Sequence, residues 1–186
     1  MKSQILGLMC VAVLLLTAIT SATVAQDSMK RTMVSSADQK FMMMAGSGGM
    51  AEIEMAQIAL QKSSNDAVKQ YAQKMIDDHT MAGDELKQIA SMKNVTLSMQ
   101  SNARSMAKMQ NASGMEFDMM YLKEAVKGHQ DMEKLFMKES MSGKDMETKA
   151  FAAKTLPVVR THLQMAREVM MNMKGMKSRM SGMKTN

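Results

Sequence analysis

The sequence predicts an all-α fold, a four-helix bundle with one longer connection between helices 2 and 3. Three observations carry this expectation. The 186 residues include 29 Met but only one Pro, four Phe, two Tyr and no Trp. Met, Ala, Lys and Gln form helices well, whereas the β-branched and aromatic residues that favour strands are scarce. Apolar residues recur at a 3–4 spacing in four long stretches, the mark of one buried helical face. The stretches pair through short polar turns, and about 20 residues separate the two pairs, the connectivity of a bundle with a crossover. The length suits one domain. With 23% charged and 46% hydrophobic residues, the chain is neither a disordered polymer nor a polytopic membrane protein.

The elements follow in order. Lys2, an apolar run from Ile5 to Ile19 and the small residues Ser21 to Ala25 read as a secretory signal peptide over residues 1–25. The run is short of the ~20 residues needed to span a bilayer, and cleavage fits best after Ala25 or Ala22. Cys10 falls inside this segment, so the exported chain contains no cysteine and has neither disulfides nor thiolate metal sites. Without Lys2 there remain 23 basic and 18 acidic residues, a net charge of about +5. The chain is expected to be exported, with periplasm or cell envelope as its location. Residues 26–37 are polar and without apolar period, a flexible leader; the bundle domain is expected over 38–174.

The first helix, from about Asp38 to Lys62, sets Phe41, Ala45, Gly48, Glu52, Met55 and Ala59 on one face. Ser63-Ser64-Asn65-Asp66 makes a turn with a ready N-cap. The second helix, to about Lys93, buries Val68, Tyr71, Ala72, Met75, Ile76, His79, Leu86 and Ile89. Residues 94–114 form the longer connection, with a short helix expected at Asn102–Met109. The third helix, Met115 to Met141, buries Phe117, Tyr121, Ala125, Met132 and Phe136. The fourth, Met146 to Lys174, buries Phe151, Thr155, Val159, His162, Ala166 and Val169 and is expected to kink at Pro157. Residues 175–186 read as a flexible Met- and Lys-rich tail.

His79, His129 and His162 are the only histidines, one in each of three helices and all on the apolar seam. Counted from the hairpin turns at 1.5 Å per residue, they and Glu52 come to a common level roughly midway along the bundle, with His162 somewhat beyond it. One ligand per helix at one depth is how metal sites in bundles are built. Asp78 flanks the level, placed to orient an imidazole or to bind directly. The competing reading is a hydrogen-bonded polar core without metal. Glu52 is favoured over Glu54 as the inward carboxylate, because the two lie about 200° apart on a helix.

Methionine is a second candidate donor, since thioethers favour Cu(I) and endure where thiols would oxidise. Met132 follows His129 by three residues and Met165 follows His162 by three, so each pair shares a helix face. Met173 and Met176, then Met180 and Met183, make Met-x-x-Met pairs toward the C-terminus. Against this, Met is close to Leu in volume and packs cores equally well. Sacrificial oxidation to sulfoxide is a third use. Lys174, Lys177, Arg179 and Lys184 offer a weak contact with an anionic membrane surface. There is no basic stripe with aromatics, so nucleic acid is not an expected partner.

Three stretches resemble a known family when taken together: Gly49-Met-Ala-Glu-Ile-Glu54 with Ala59-Leu60, Tyr71-Ala-Gln-Lys-Met-Ile-Asp-Asp-His79, and Phe117-Asp-Met-Met-Tyr121 with His129, Leu156-Pro157 and His162-Leu163. The family is the bacterial exported domain of unknown function 4142, often labelled outer membrane protein. The resemblance covers roughly residues 38–170 and implies a ferritin-like four-helix bundle outside the cytoplasm, with no activity attached. This chain departs from the pattern in placing Met where Leu is expected, and in its Met-rich tail.

Ferritin-type dinuclear sites use Glu-x-x-His on two helices, but here Ile76 precedes His79 and Val159 precedes His162. A metal oxidase is therefore the third choice of function. The first is a non-catalytic metal-binding or stress-protection protein of the envelope, holding copper or another transition metal. The second is a ligand-free structural or interaction module. No nucleophile stands beside a base, and Gly46-Ser-Gly-Gly49 lacks the rest of a phosphate loop, so the chain leans away from enzymes.

Overall fold

A computed structural model describes residues 34–97 and 109–183, with side chains described as far as residue 175. Among these residues the chain is all-helical. Four long helices are present: α1 (Ser36–Lys62), α2 (Asp66–Met92), α3 (Gly114–Ser142) and α4 (Met146–Met183). The expected signal peptide, most of the leader and most of the short helix at 102–109 lie outside the described residues.

Local chemistry sets the ends. The Ser35 side chain accepts from the Asp38 N–H at 3.2 Å, which starts α1 two residues before the expected position. Asn65 accepts from the N–H groups of Ala67 and Val68 at 2.9 and 3.2 Å and starts α2. Gly114 enters α3 at φ +53°, a backbone conformation glycine adopts freely. Asp145 caps α4 by accepting from the Thr148 N–H and hydroxyl at 3.0 and 2.8 Å. Helix α4 runs through the exposed Pro157, whose carbonyl accepts the Thr161 hydroxyl at 3.0 Å. It continues to Met183, nine residues past the expected end. Its inward face carries on past Ala166 through Val169 to the buried Met173.

Each hairpin, α1–α2 and α3–α4, packs along its length; α1 then lies against α3, and α2 against α4. Polar contacts fix the directions. At one end the buried Asp38 carboxylate of α1 accepts the N–H groups of Lys144 and Asp145 at 3.1 and 2.9 Å. Lys93, just past α2, bridges Asp145 at 2.6 Å and Glu147 at 2.8 Å. At the opposite end the Lys62 ammonium hydrogen-bonds the Gln110 carbonyl and lies 5.5 Å above the Phe117 ring. The α2–α3 connection therefore leaves one end of the bundle and returns at the other. Val95 and Leu97 pack at its start, while Met109 and Ala112 are buried at its finish.

The apolar core comes in two parts. One gathers Met55, Tyr71, Met75, Phe117, Tyr121, Ala125 and Ala166. The other gathers Phe41, Met42, Ala45, Leu86, Ile89, Phe136, Phe151 and Val159. Phe41 is its hub, edge-on to Phe136 at 5.0 Å and to Phe151 at 6.4 Å. Along every helix the residue lying between the two parts is polar: Glu52, His79, His129 or His162. The seams read from the sequence are buried as expected, apart from Gly48, Ile76, His79, Met132, Thr155 and Val169, which are only partly buried.

Phe41→Ala should destabilise the protein by about 3–5 kcal/mol, because it empties the centre of one half-core. Met43→Ala, on the exposed side of the same helix, should stay within about 0.5 kcal/mol. Urea unfolding followed by circular dichroism separates the two.

Candidate metal centre

The site begins with three imidazoles from three helices. One nitrogen from each of His79, His129 and His162 lies within 4.8 Å of the other two. Ring centroids are 5.6, 5.4 and 5.3 Å apart. His129 and His162 are each 1% exposed, and His79 is partly exposed.

Hydrogen bonds outside the cluster fix the tautomers of two of the rings. The Nδ1 of His129 is 2.8 Å from the Ala125 carbonyl, which can only accept, so Nδ1 carries the proton. The Nε2 of His162 is 2.7 Å from Asp78 Oδ2. Burial alone would raise the Asp78 pKa, but bonds from Lys74, at 2.9 Å, and from His162 hold it below its ordinary value. Asp78 is therefore ionised, and His162 donates to it. The two nitrogens left over, His129 Nε2 and His162 Nδ1, face each other at 3.3 Å. In neutral rings both are lone pairs, and two acceptors cannot bond to one another.

A proton on either ring would resolve the conflict, but the surroundings oppose it. Burial pushes His79 down to about 3, helped by the neighbouring His129 and His162. Burial likewise takes His129 to about 4 and lowers His162, against the pull of Asp78. All three rings are neutral at pH 7, the state in which imidazole binds metal. Two nitrogens held 2.0–2.1 Å from a tetrahedral ion stand about 3.3 Å apart. The facing lone pairs already have that spacing.

Glu52 completes the level from α1. It is 5% exposed, with Oε1 3.6 Å from His129 Nδ1, beyond hydrogen-bond reach. Its other oxygen has no partner. Burial, with Glu124 nearby, pushes its pKa up to about 8, so it holds its proton at neutral pH. Gly128 makes room for it: a Cβ there would meet Glu52 Oε1 at 2.6 Å. The Tyr71 and Tyr121 rings pack 5.8 Å apart. Their buried hydroxyls lack partners, and desolvation raises both pKa values.

A cavity of about 310 Å³ reaches this level. His79, His129, Glu52, Gly49, Met50 and Met132 are among its lining residues. The adjoining stretch of α1 holds Gly46, Gly48 and Gly49 in its interior, where each costs about 1 kcal/mol relative to Ala.

The expected site residues are thus partly gathered. His79, His129, His162, Asp78 and Glu52 share one level, Asp78 as the orienting partner of His162. Met132 lines the cavity. Met165 and Met173 pack in the core half around the tyrosines. Met176, Met180 and Met183 have side chains outside the described part. Sequence reasoning missed the Ala125 carbonyl and Gly128. A glycine in mid-helix directly before a seam histidine was the available signal for the second. Among the described residues nine of the ten exposed large apolar side chains are Met, so methionine here is more than a substitute for leucine in the interior.

Residues 23–169 match the family described as Domain of unknown function (DUF4142). The chain belongs to this family. No curated protein matches the sequence of this DUF4142 chain. Among solved structures it is similar to a DUF305 fragment from Deinococcus radiodurans, with TM-score 0.69 and 9% identity, covering 75% of this chain and 98% of the fragment. It is also similar to CopM in its Cu(I)-bound form, with TM-score 0.64 and 18% identity over 73% and 96% of the two chains. CopM in its Ag-bound form gives 0.62 and 19% over the same shares. At these identities the likeness is one of fold. No helix among the described residues is long and apolar enough to cross a membrane.

The site sets the pH dependence of the metal-free DUF4142 protein. With folded-state pKa values of about 3 and 4 against 6.5, the histidines take up protons on unfolding, so stability falls as pH drops below about 6.5. Glu52, about 8 when folded against 4.5, loses its proton on unfolding, so stability falls as pH rises from about 4.5 to 8. Because two histidines gain protons on unfolding while Glu52 loses one, the urea midpoint measured with chelator present should rise to a maximum near pH 6.5 and fall from there toward pH 8. Glu52→Gln should flatten the alkaline side.

Proposed function

We propose that this DUF4142 protein is a non-catalytic metal-binding protein of the bacterial cell envelope. In this reading a ferritin-like four-helix bundle holds one transition-metal ion, copper in the cuprous state by preference, on His79, His129 and His162. The observation that carries the reading is the pair of imidazole lone pairs facing each other at 3.3 Å in a buried layer. A cation between them turns a repulsion into two bonds. Asp78 and the Ala125 carbonyl hold the second nitrogens of two rings, the arrangement that orients metal-bound histidines. The three neutral rings need no proton removed before an ion binds.

Copper is favoured over zinc on the chemistry around the layer. Imidazole accepts both, but the wall of the adjoining cavity carries the Met50 and Met132 thioethers, and thioethers select Cu(I). CopM, whose fold is similar, has solved structures in Cu(I)-bound, Cu(II)-bound and Ag-bound forms. Export is supported by the segment before Ala25 and by a family match that begins at residue 23, just behind its apolar run. A dinuclear oxidase is disfavoured because no Glu-x-x-His pair is present.

The deciding experiment is elemental analysis of mature protein isolated from the periplasm without chelator or affinity tag, then loaded anaerobically with Cu(I). About one ion per chain is expected. His129→Ala with His162→Ala should abolish it and leave helicity nearly intact. Asp78→Asn should weaken binding about 10–100-fold. Metal content unchanged in the double variant would exclude the histidine site. Complete absence of metal from the wild type would leave the histidines as packing groups of an envelope interaction module.

A further inference from the structure

A layer in which two of three ligands are 1% exposed needs a way for an ion to reach it. The cavity against α1 supplies one. It is lined by His79 and His129 together with Gly49, Met50 and Met132. Gly49 on that wall, and Gly48 next to it on α1, carry no side chain to cover it. A Cβ on Gly48 would come within 3.2 Å of Met132 Sδ, and one on Gly49 within 3.6 Å of His79 Nδ1. Successive backbone positions therefore lie directly under a thioether sulfur and under the ring of the least buried histidine. A larger side chain at either position would cover one of them. Most of the lining is apolar, the Glu52 carboxyl in it holds its proton, and its two charged groups, Asp84 and Lys87, pair with each other at 2.9 Å. Their mutual neutralisation leaves no net charge at the cavity to repel a cation.

We propose that this cavity is the loading port for a soft monovalent cation, Cu(I) or its analogue Ag(I), and that the Met132 thioether is its first ligand in transit. The ion exchanges from sulfur to the His79 ring and settles between His129 and His162. Thioether affinity for such ions is modest and the bond exchanges readily, which suits a relay, while imidazoles with fixed tautomers suit the resting place. A harder divalent ion gains nothing from sulfur. The thioether thus discriminates by rate between soft and hard ions at a site that accepts both. This inference rests on the three histidines being the metal site.

The test is the rate of uptake by the mature protein of Ag(I), which is redox-silent, and of Co(II). Each is followed by stopped-flow competition with a chromophoric chelator. Met132→Leu keeps the volume and removes the sulfur. It should slow Ag(I) uptake at least tenfold and leave the Co(II) rate alone. Gly49→Leu fills the port from a position where a Cβ makes ordinary contact; it should slow both ions at least tenfold. Circular dichroism and the final Co(II) occupancy verify that this variant folds with its histidines in place.

Wild-type rates in a folded, fully loading Gly49→Leu would show that ions enter elsewhere and overturn the port. Equal slowing of Ag(I) and Co(II) in Met132→Leu, or no slowing of Ag(I), would overturn the thioether relay. If the wild type takes up neither ion at equilibrium, the histidine site itself fails and the port falls with it. Equilibrium occupancy therefore separates that failure from the kinetic ones.

Discussion

Two imidazole nitrogens that cannot bond to each other are held 3.3 Å apart because their opposite faces are already committed. His129 is tied to its own helix through the Ala125 carbonyl, and His162 is tied to α2 through Asp78, itself braced by Lys74. The constraint therefore spans three helices. Neither ring can turn away without stranding a buried N–H, at a cost of about 1–3 kcal/mol. Neither can take a proton cheaply in so dry a place. Much of the interior is arranged around this unresolved pair: Gly128 clears space for Glu52, and a neutral Glu52 carboxyl rather than a carboxylate borders His129.

The layer divides the interior into a phenylalanine half and a tyrosine half, and the ends of the bundle are treated differently. Beyond the phenylalanine half, Asp38 gathers two backbone N–H groups of the α3–α4 turn and Lys93 bridges to the first turn of α4. The carboxylates there stand at helix N-termini, where the macrodipole favours them. The desolvated Glu139, facing Asp38, is raised to about 7. Beyond the tyrosine half the contacts are softer: Lys62 over Phe117, the buried end of the crossover, and Met173 on the prolonged α4. Methionine fills irregular gaps through its three flexible torsions, which suits an end closed by side-chain packing.

Much of this was legible in the sequence, and for a definite reason. A helix has one rise per residue, so counting from the turns put Glu52, His79 and His129 at one depth, with His162 about a turn beyond, before any contact was known. The capping residue Asn65 and the turn at 143–145 fixed the origin of the count. What a single helix cannot reveal is what a neighbour presents to it. The need for Gly128 comes from Glu52 on another helix, and that for Gly48 from Met132. The role of Asp78 as an orienting partner depends on how α2 and α4 are rotated. The end of α4 was missed because polar and basic residues after Lys174 mask a face that continues through Met173. Met173, Met176, Met180 and Met183 do keep a helical 3–4 spacing, but Gly175, Gly182 and the basic residues among them weaken that signal.

The division of the core has a consequence for alignment. Apolar packing alone is tolerant of sliding, because one leucine-sized side chain is much like another one turn away. A polar level is not tolerant. Shift any one helix by a turn, about 5.4 Å, and an imidazole or a carboxyl lands among phenylalanines or tyrosines with nothing to bond. The layer is thus an index mark, read at the same height on every helix. In a chain whose interior is so rich in pliable methionine, it is what allows four flexible-surfaced rods to meet in a single register.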